Sequence, residues 1–214
     1  MKKLLAAVAL LAVGGMAQAQ LTWSNSNGTG NLNAAFNPAP DVGLTLGSTI
    51  ELGTLNVAIG AYEVGTLTFT YLGQESSYLD GVSRASFAGN LLTEADAVGA
   101  TASFAVGPGF GGPVDFMFFD NVGGSAVNGG AWSPNNSIGL IASGFTATGG
   151  AVNGQTFQYV LGYNDSGMQH DDWDDFVIGV NLVTAPIPEP ETYMLMMAGL
   201  GAMGFVARRR RGSK

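Results

Sequence analysis

Cysteine is absent from the 214 residues. That absence excludes disulfides, thiolate metal sites and a cysteine nucleophile within this chain. Positive charge is nearly as scarce: eight lysines and arginines stand against sixteen acids, a formal net charge of −8. Seven of the eight cations, Lys2, Lys3, Arg208, Arg209, Arg210, Arg211 and Lys214, lie at the two ends, which leaves Arg84 alone between them. From Gln20 to Ile187, fourteen carboxylates face that one cation, a formal −13. Nucleic-acid affinity rests on Lys and Arg displacing counterions from phosphates, so DNA and RNA are disfavoured as partners. Histidine occurs once, as His170. A zinc centre built on two or three histidines is thereby excluded. Any Ser-His-Asp triad would have to use His170, and no G-x-S-x-G elbow accompanies it.

Glycine, by contrast, is abundant at 33 residues, and it punctuates short runs rich in Thr, Val, Phe and Tyr. That is all-β composition. In Thr66-Leu67-Thr68-Phe69-Thr70-Tyr71 the apolar residues alternate with threonine, so one face of a strand is greasy and the other polar. Similar runs cover Thr54 to Ile59, Thr101 to Val106, Val114 to Phe119, Ile138 to Ala142, Thr156 to Leu161 and Phe176 to Val183. Gly107-Pro108-Gly109, Gly123-Gly124, Asn128-Gly129-Gly130, Gly149-Gly150 and Asn153-Gly154 supply turns between them. Many short strands with frequent turns predict one β-sandwich domain, with the jelly roll among its forms. Leu91 to Val98 hints at a short helix, with Thr93 at the N-cap and Asp96 at N3. Asn25 to Pro40 reads as an irregular lead-in. Gly107 to Gly112 satisfies G-x-G-x-x-G, but Pro113 and a strand-like run follow where a nucleotide site requires a helix, so the segment reads as a hairpin loop.

Both ends carry targeting patterns. Lys2 and Lys3 precede an apolar stretch from Leu4 to Val13, and Ala17-Gln18-Ala19 places small residues where a signal peptidase reads, so residues 1–19 are expected to be a signal peptide. A buried N-terminal helix is the other reading of that hydrophobicity. At the C-terminus Pro188-Glu189-Pro190 is followed by an uncharged run, Tyr193 to Ala207, and then by Arg208, Arg209, Arg210 and Arg211. The run is shorter than the ~20 residues that span a bilayer, and the arginines act as a stop on the cytoplasmic side. The prolines fix φ and withhold two donors, which keeps the triplet extended and open to a protease.

The order of triplet, short hydrophobic segment and basic cluster resembles the PEP-CTERM sorting tail of Gram-negative bacterial proteins. The resemblance implies that the chain is a substrate of exosortase, a membrane-embedded cysteine-dependent enzyme that cuts near the triplet and passes the body to the cell surface or an extracellular matrix. The membrane is then occupied only transiently, through the C-terminal segment. Three regions follow: residues 1–19 as signal peptide, 20–187 as the β-sandwich domain, and 188–214 as the sorting signal with its hydrophobic helix.

Chemistry within the body concentrates in one place. Asp165, Asp171, Asp172, Asp174 and Asp175 fall within eleven residues, just before the last strand-like run. Crowded carboxylates repel unless water or a cation screens them, and hard oxygen donors favour Ca²⁺. The same spacing is compatible with a solvated acidic loop that keeps a strand edge from pairing. Asp172-Trp173-Asp174-Asp175-Phe176-Val177-Ile178 looks like the Asp-rich segment before the final strand in many PEP-CTERM proteins. It departs from an EF-hand loop. Asp115 and Asp120, or Glu63 and Glu75, flank strands as a carboxylate-dependent glycosidase would require, although strand-end acids are ordinary surface residues. The expectation is a non-enzymatic, structural or adhesive protein of the surface or biofilm exopolysaccharide. The alternatives are a calcium-dependent carbohydrate-binding module and, third, a glycosidase.

Overall fold

The computed structural model describes residues 19–31, 42–44, 49–86, 88–133, 135–165, 173–188 and 190–211. The signal-peptide reading, apart from Ala19, lies outside these residues, as do Glu189, Asp171 and Asp172. Three long strands open the fold: β1 (Gln20–Asn31), β2 (Thr49–Ala58) and β3 (Glu63–Gly73). Shorter ones follow as β4 (Gly81–Ser83), β5 (Asn90–Thr93), β6 (Thr101–Val106), β7 (Gly111–Pro113), β8 (Met117–Phe119) and β9 (Ser125–Val127). The series ends with β10 (Ser137–Thr146), β11 (Thr156–Asn164), β12 (Phe176–Pro186) and the helix α1 (Pro190–Arg211). The fold is all-β apart from that helix.

All named pairings are antiparallel. Eight strands form one sheet in the order β1-β2-β10-β11-β12-β3-β6, with β7 added beside β2; four form a second, in the order β5-β4-β8-β9. The alternation in β3 sets how they meet. Leu67, Phe69 and Tyr71 turn to one face, and there they join Val82, Leu92, Phe118 and Ala126 of the smaller sheet in a single core. The arrangement is sandwich-like, with sheets of unequal size. Phe69 meets Phe116 edge-on at 5.3 Å, Tyr71 stacks on Phe176 at 4.8 Å, and Phe118 stacks on Tyr163 at 5.3 Å. Fully burying one such side chain contributes about 1.5–3 kcal/mol, and a well-placed ring pair about 0.5–1.5 kcal/mol beyond its area.

The large sheet is also covered on its back. Ile50, Leu52, Val160, Val177 and Trp173 form a second core with Val42 and Val152, the latter in a 3₁₀ turn at Gly150–Val152. This double cover explains why Phe176 to Val180 are buried without alternation.

Three expectations are corrected. The lead-in from Asn25 is strand as far as Asn31, because β1 pairs with β2 through its backbone across a bulge between Asn25 and Gly28. Leu91 to Val98 is not helical: β5 ends at Thr93, and the Thr93 N–H donates to Asp96 Oδ2 (2.8 Å) while the Asp96 N–H returns to the Thr93 carbonyl (3.0 Å). The cap-like pair is real but closes a turn. Gly107 to Gly112 turns the chain at Gly109, where φ is 71°, yet the strands it joins do not pair with each other: β6 lies on β3 and β7 on β2.

Candidate functional site

The two ends of the β domain meet at the connection between β2 and β3. There the Ala19 N–H donates to Glu63 Oε2 (3.1 Å), and the same oxygen accepts from the Gly60 N–H (3.3 Å). On the C-terminal side, β12 stays paired with β3 as far as Pro186 opposite Glu63, and the Ile187 N–H donates to the Tyr62 carbonyl (2.6 Å). Sheet hydrogen bonding therefore runs up to Ile187 and stops one residue before Pro188. Pro188 is exposed, and α1 begins at Pro190. A proline at the first turn is natural, since its missing N–H would have no partner there. Tyr193, Met194, Leu195, Met196, Met197, Leu200, Met203 and Phe205 are all exposed along the helix, as are Arg208 and Arg209 in its last turn. Among the described residues no helix is long and apolar enough to cross a membrane.

Residues 186–211 match the family model of the PEP-CTERM protein-sorting motif. The chain ends in a PEP-CTERM tail. It is thus an exosortase-targeted protein, exported and sorted to the surface of a Gram-negative cell. The matched segment contains Pro188, Glu189, Pro190 and Arg208 to Arg211, the residues that carried the sorting signal in the sequence. Nothing matches among curated proteins or solved structures. The PEP-CTERM match covers the tail, so the body has to be read from its own geometry.

Acidic groups gather at the opposite end of β3 and β12, about 30 Å from the tail junction at ~3.3 Å per strand residue. Four connections converge there. The segment after β3 supplies Ser76 and Asp80, and the turn after β5 supplies Glu94. The β8–β9 turn supplies Asp120, and the β11–β12 connection supplies Asp165, Asp174 and Asp175. Asp80, Asp120, Asp165, Asp174 and Asp175 are all buried. Asp120 is occupied by its own turn, accepting at Oδ1 from the Val122 N–H (2.9 Å) and the Gly124 N–H (2.6 Å). Ser76 Oγ donates to Asp165 Oδ2 (2.6 Å), the Asp165 N–H donates to Asp175 Oδ2 (2.8 Å), and the Asp80 N–H donates to Glu94 Oε1 (3.0 Å).

Asp80 stands out in this group. It is 1% exposed, and neither carboxylate oxygen has a hydrogen-bond partner. Burial pushes its pKa up to about 8, reinforced by the charges of Asp165, Glu94 and Asp120 and opposed only by the nearby Ser76 hydroxyl, whose proton the geometry gives to Asp165. Burial raises Glu94 as well. The same field raises the phenols beneath: burial first, then these carboxylates, drives Tyr71 and Tyr163 well above the usual phenol range.

Of the residues expected to bind metal, Asp165, Asp174 and Asp175 are brought to this end, and Asp171 and Asp172 lie outside the described residues. Asp80 and Glu94 were not legible as members, since both lie far from the Asp-rich loop in sequence. Among the described residues no three His, Asp or Glu side chains are already drawn together in a metal-holding arrangement. Asp174 and Trp173 show that part of the loop is core: Asp174 is fully buried, and the Trp173 indole N–H donates to Ser137 Oγ (3.0 Å).

The lone body cation lies elsewhere. Arg84 Nη2 pairs with Asp115 Oδ2 at 2.9 Å, and its guanidinium sits 4.7 Å from the centre of the Phe104 ring. Partial burial pushes Asp115 up, but hydrogen bonds from Ser86 and Arg84 outweigh it and hold the carboxyl below its usual range. Arg84, Asp115, Phe104 and the exposed Phe110 line an open groove of about 180 Å³. The acids once paired as glycosidase candidates are thereby separated in role: Asp115 is tied to Arg84 and Asp120 to its turn.

Proposed function

We propose that the β domain, once exported, is a structural or adhesive component of the exopolysaccharide matrix and performs no catalysis of its own. One observation carries this reading: sheet pairing ends at Ile187 and the helix begins at Pro190, so a cut near the triplet releases the whole sheet and removes only an apolar handle. The resulting domain is acidic, cysteine-free and stabilised by two apolar cores, which suits a protein that must persist outside the cell without disulfides. Signal peptidase acts first and exosortase second in this scheme, and the membrane is a transient station.

A second reading is favoured by the groove at Arg84. A planar guanidinium and a carboxylate beside two phenylalanines suit one sugar ring, through stacking on its apolar face and hydrogen bonds to its hydroxyls. Pull-down on polysaccharide extracted from the native host separates the two readings. A passive matrix component is retained without saturation, and Phe110→Ala leaves retention unchanged. Saturable binding lost in Phe110→Ala supports the carbohydrate-binding module, and release of reducing sugar would overturn the non-enzymatic reading.

A further inference from the structure

Three large apolar side chains are exposed together at the corner where the tail leaves the β domain. Tyr62 (50% exposed) lies in the turn between β2 and β3, Phe110 (42%) in the connection between β6 and β7, and Ile187 (39%) directly after β12. Backbone hydrogen bonds knit these segments to one another. The Ile59 N–H donates to the Phe110 carbonyl (2.8 Å), the Gly109 N–H to the Gly60 carbonyl (3.1 Å), and the Ile187 N–H to the Tyr62 carbonyl (2.6 Å). Ala61, Pro108, Ala185, Pro186 and Pro188 are exposed in the same segments, and none of them carries charge. The acids next to the corner are engaged: Glu63 Oε2 accepts the N–H groups of Gly60 and Ala19, and Asp115, which shares the groove with Phe110, is paired with Arg84. Single apolar residues on a surface are ordinary, but a group held together by its backbone marks a contact.

The distance to the tail identifies what covers it. Pro188 and Glu189 alone separate Ile187 from Pro190, where α1 begins. Three Cα steps reach at most about 11 Å, so Ile187 stays that close to the first turn of the apolar helix. On the reading above, in which the uncut tail is seated in a membrane and on which this proposal rests, that turn is held at the lipid headgroups. The headgroup layer is about 5–8 Å deep on each side, and tyrosine is among the residues that favour it. The acidic end of the domain is ~30 Å away along the strands, well beyond the ~8 Å over which charges act in physiological salt. Its carboxylates therefore do not oppose contact with an anionic bilayer. We propose that Tyr62, Phe110 and Ile187 seat the tail end of the β domain on the lipid headgroups before the cut, which holds the Pro188–Pro190 triplet at the membrane surface. Three side chains are too few to keep the domain there afterwards, since even a whole fatty acyl chain anchors only marginally. Removal of the tail then frees the domain.

The absence of cysteine allows one label per molecule. The test uses exported, uncut protein purified from a host lacking exosortase, with Ala61→Cys or Val122→Cys carrying an environment-sensitive fluorophore. Each is reconstituted in vesicles of phosphatidylcholine with a minority of phosphatidylglycerol, and flotation reports whether the tail is seated. At position 61 the emission should shift to the blue and be quenched by lipids bearing a headgroup nitroxide; at position 122 neither change is expected. Adding Tyr62→Ser and Phe110→Ser to Ala61→Cys should abolish the blue shift and most of the quenching while the protein still floats. Tyr62→Ser alone serves where the double variant does not fold. Floating protein whose two labels behave alike would overturn the proposal and leave the tail reading intact, whereas protein that does not float would overturn both. Quenching retained in the serine variants would mean that the tether alone brings the corner to the lipid. Shielding of position 61 only after exosortase is added would replace the lipid with a protein contact, and either result overturns the proposal.

Discussion

The carbonyl oxygen of Trp173 occupies the position that a Cβ on Gly162 would need. Trp173 closes the back of the large sheet, and its ring lies against two more glycines: a Cβ on Gly139 would stand 2.9 Å from its Cδ1, and one on Gly30 would collide with the ring. Glycines on β1, β10 and β11 thus make a seat for one indole. Because the obstacle at Gly162 is backbone, it cannot move aside by changing rotamer. Gly162→Ala is therefore expected to destabilise the domain by about 2 kcal/mol or more, whereas Gly107→Ala, with nothing within 4 Å of the new methyl, stays within about 1 kcal/mol of wild type. Urea denaturation of the two variants measures the contrast. Equal midpoints would contradict the seat.

Asn128 provides a second internal joint. Its Oδ1 accepts from the Leu55 N–H (2.8 Å), and its Nδ2 donates to the carbonyls of Leu55 and Val114 (2.8 Å each), all buried. The amide continues sheet-like bonding between β2 and the segment leading into β8. Asn128→Ala strands one donor and weakens two acceptors, and should cost about 2–4 kcal/mol. A fall in urea midpoint with unchanged slope would be the signature.

Much of the fold was visible in the sequence, for a definite reason. Strands with one buried face announce themselves by alternation, and the runs at Thr66 to Tyr71 and Thr101 to Val106 fall in β3 and β6. β1 was hidden because its Asn, Ser and Gly residues mostly face solvent and its strand character comes from pairing with β2, which no single-strand pattern reports. β4 and β9 are three residues long, too short for a period to show. The tail was legible because its signal is local and contiguous. The acidic end was only half legible: the Asp-rich loop is contiguous, but Asp80 joins it through sheet topology, as the end of β3 lies beside the start of the antiparallel β12.

The raised pKa of Asp80 has a sign that can be checked. Its ordinary value is 3.8 and its folded value about 8. Below 3.8 both folded and unfolded states hold the proton; between the two values only the folded state does, so the proton stabilises the fold there. Stability should fall as pH climbs from about 4 to about 8 and then level off. Asp80→Asn should flatten that part of the profile. Wild-type and variant curves that run parallel from pH 4 to 8 would show that Asp80 titrates normally.

The central claim is that residues after Ile187 are a removable sorting handle on a complete β domain. Intact-mass spectrometry of the surface fraction from the native host tests it most directly, comparing wild type with Glu189→Ala. The account predicts that wild-type surface protein lacks Tyr193 to Lys214, while the variant keeps the tail and stays with the membrane fraction. Wild-type protein on the surface with its tail intact, or a variant cut and delivered like the wild type, would contradict it.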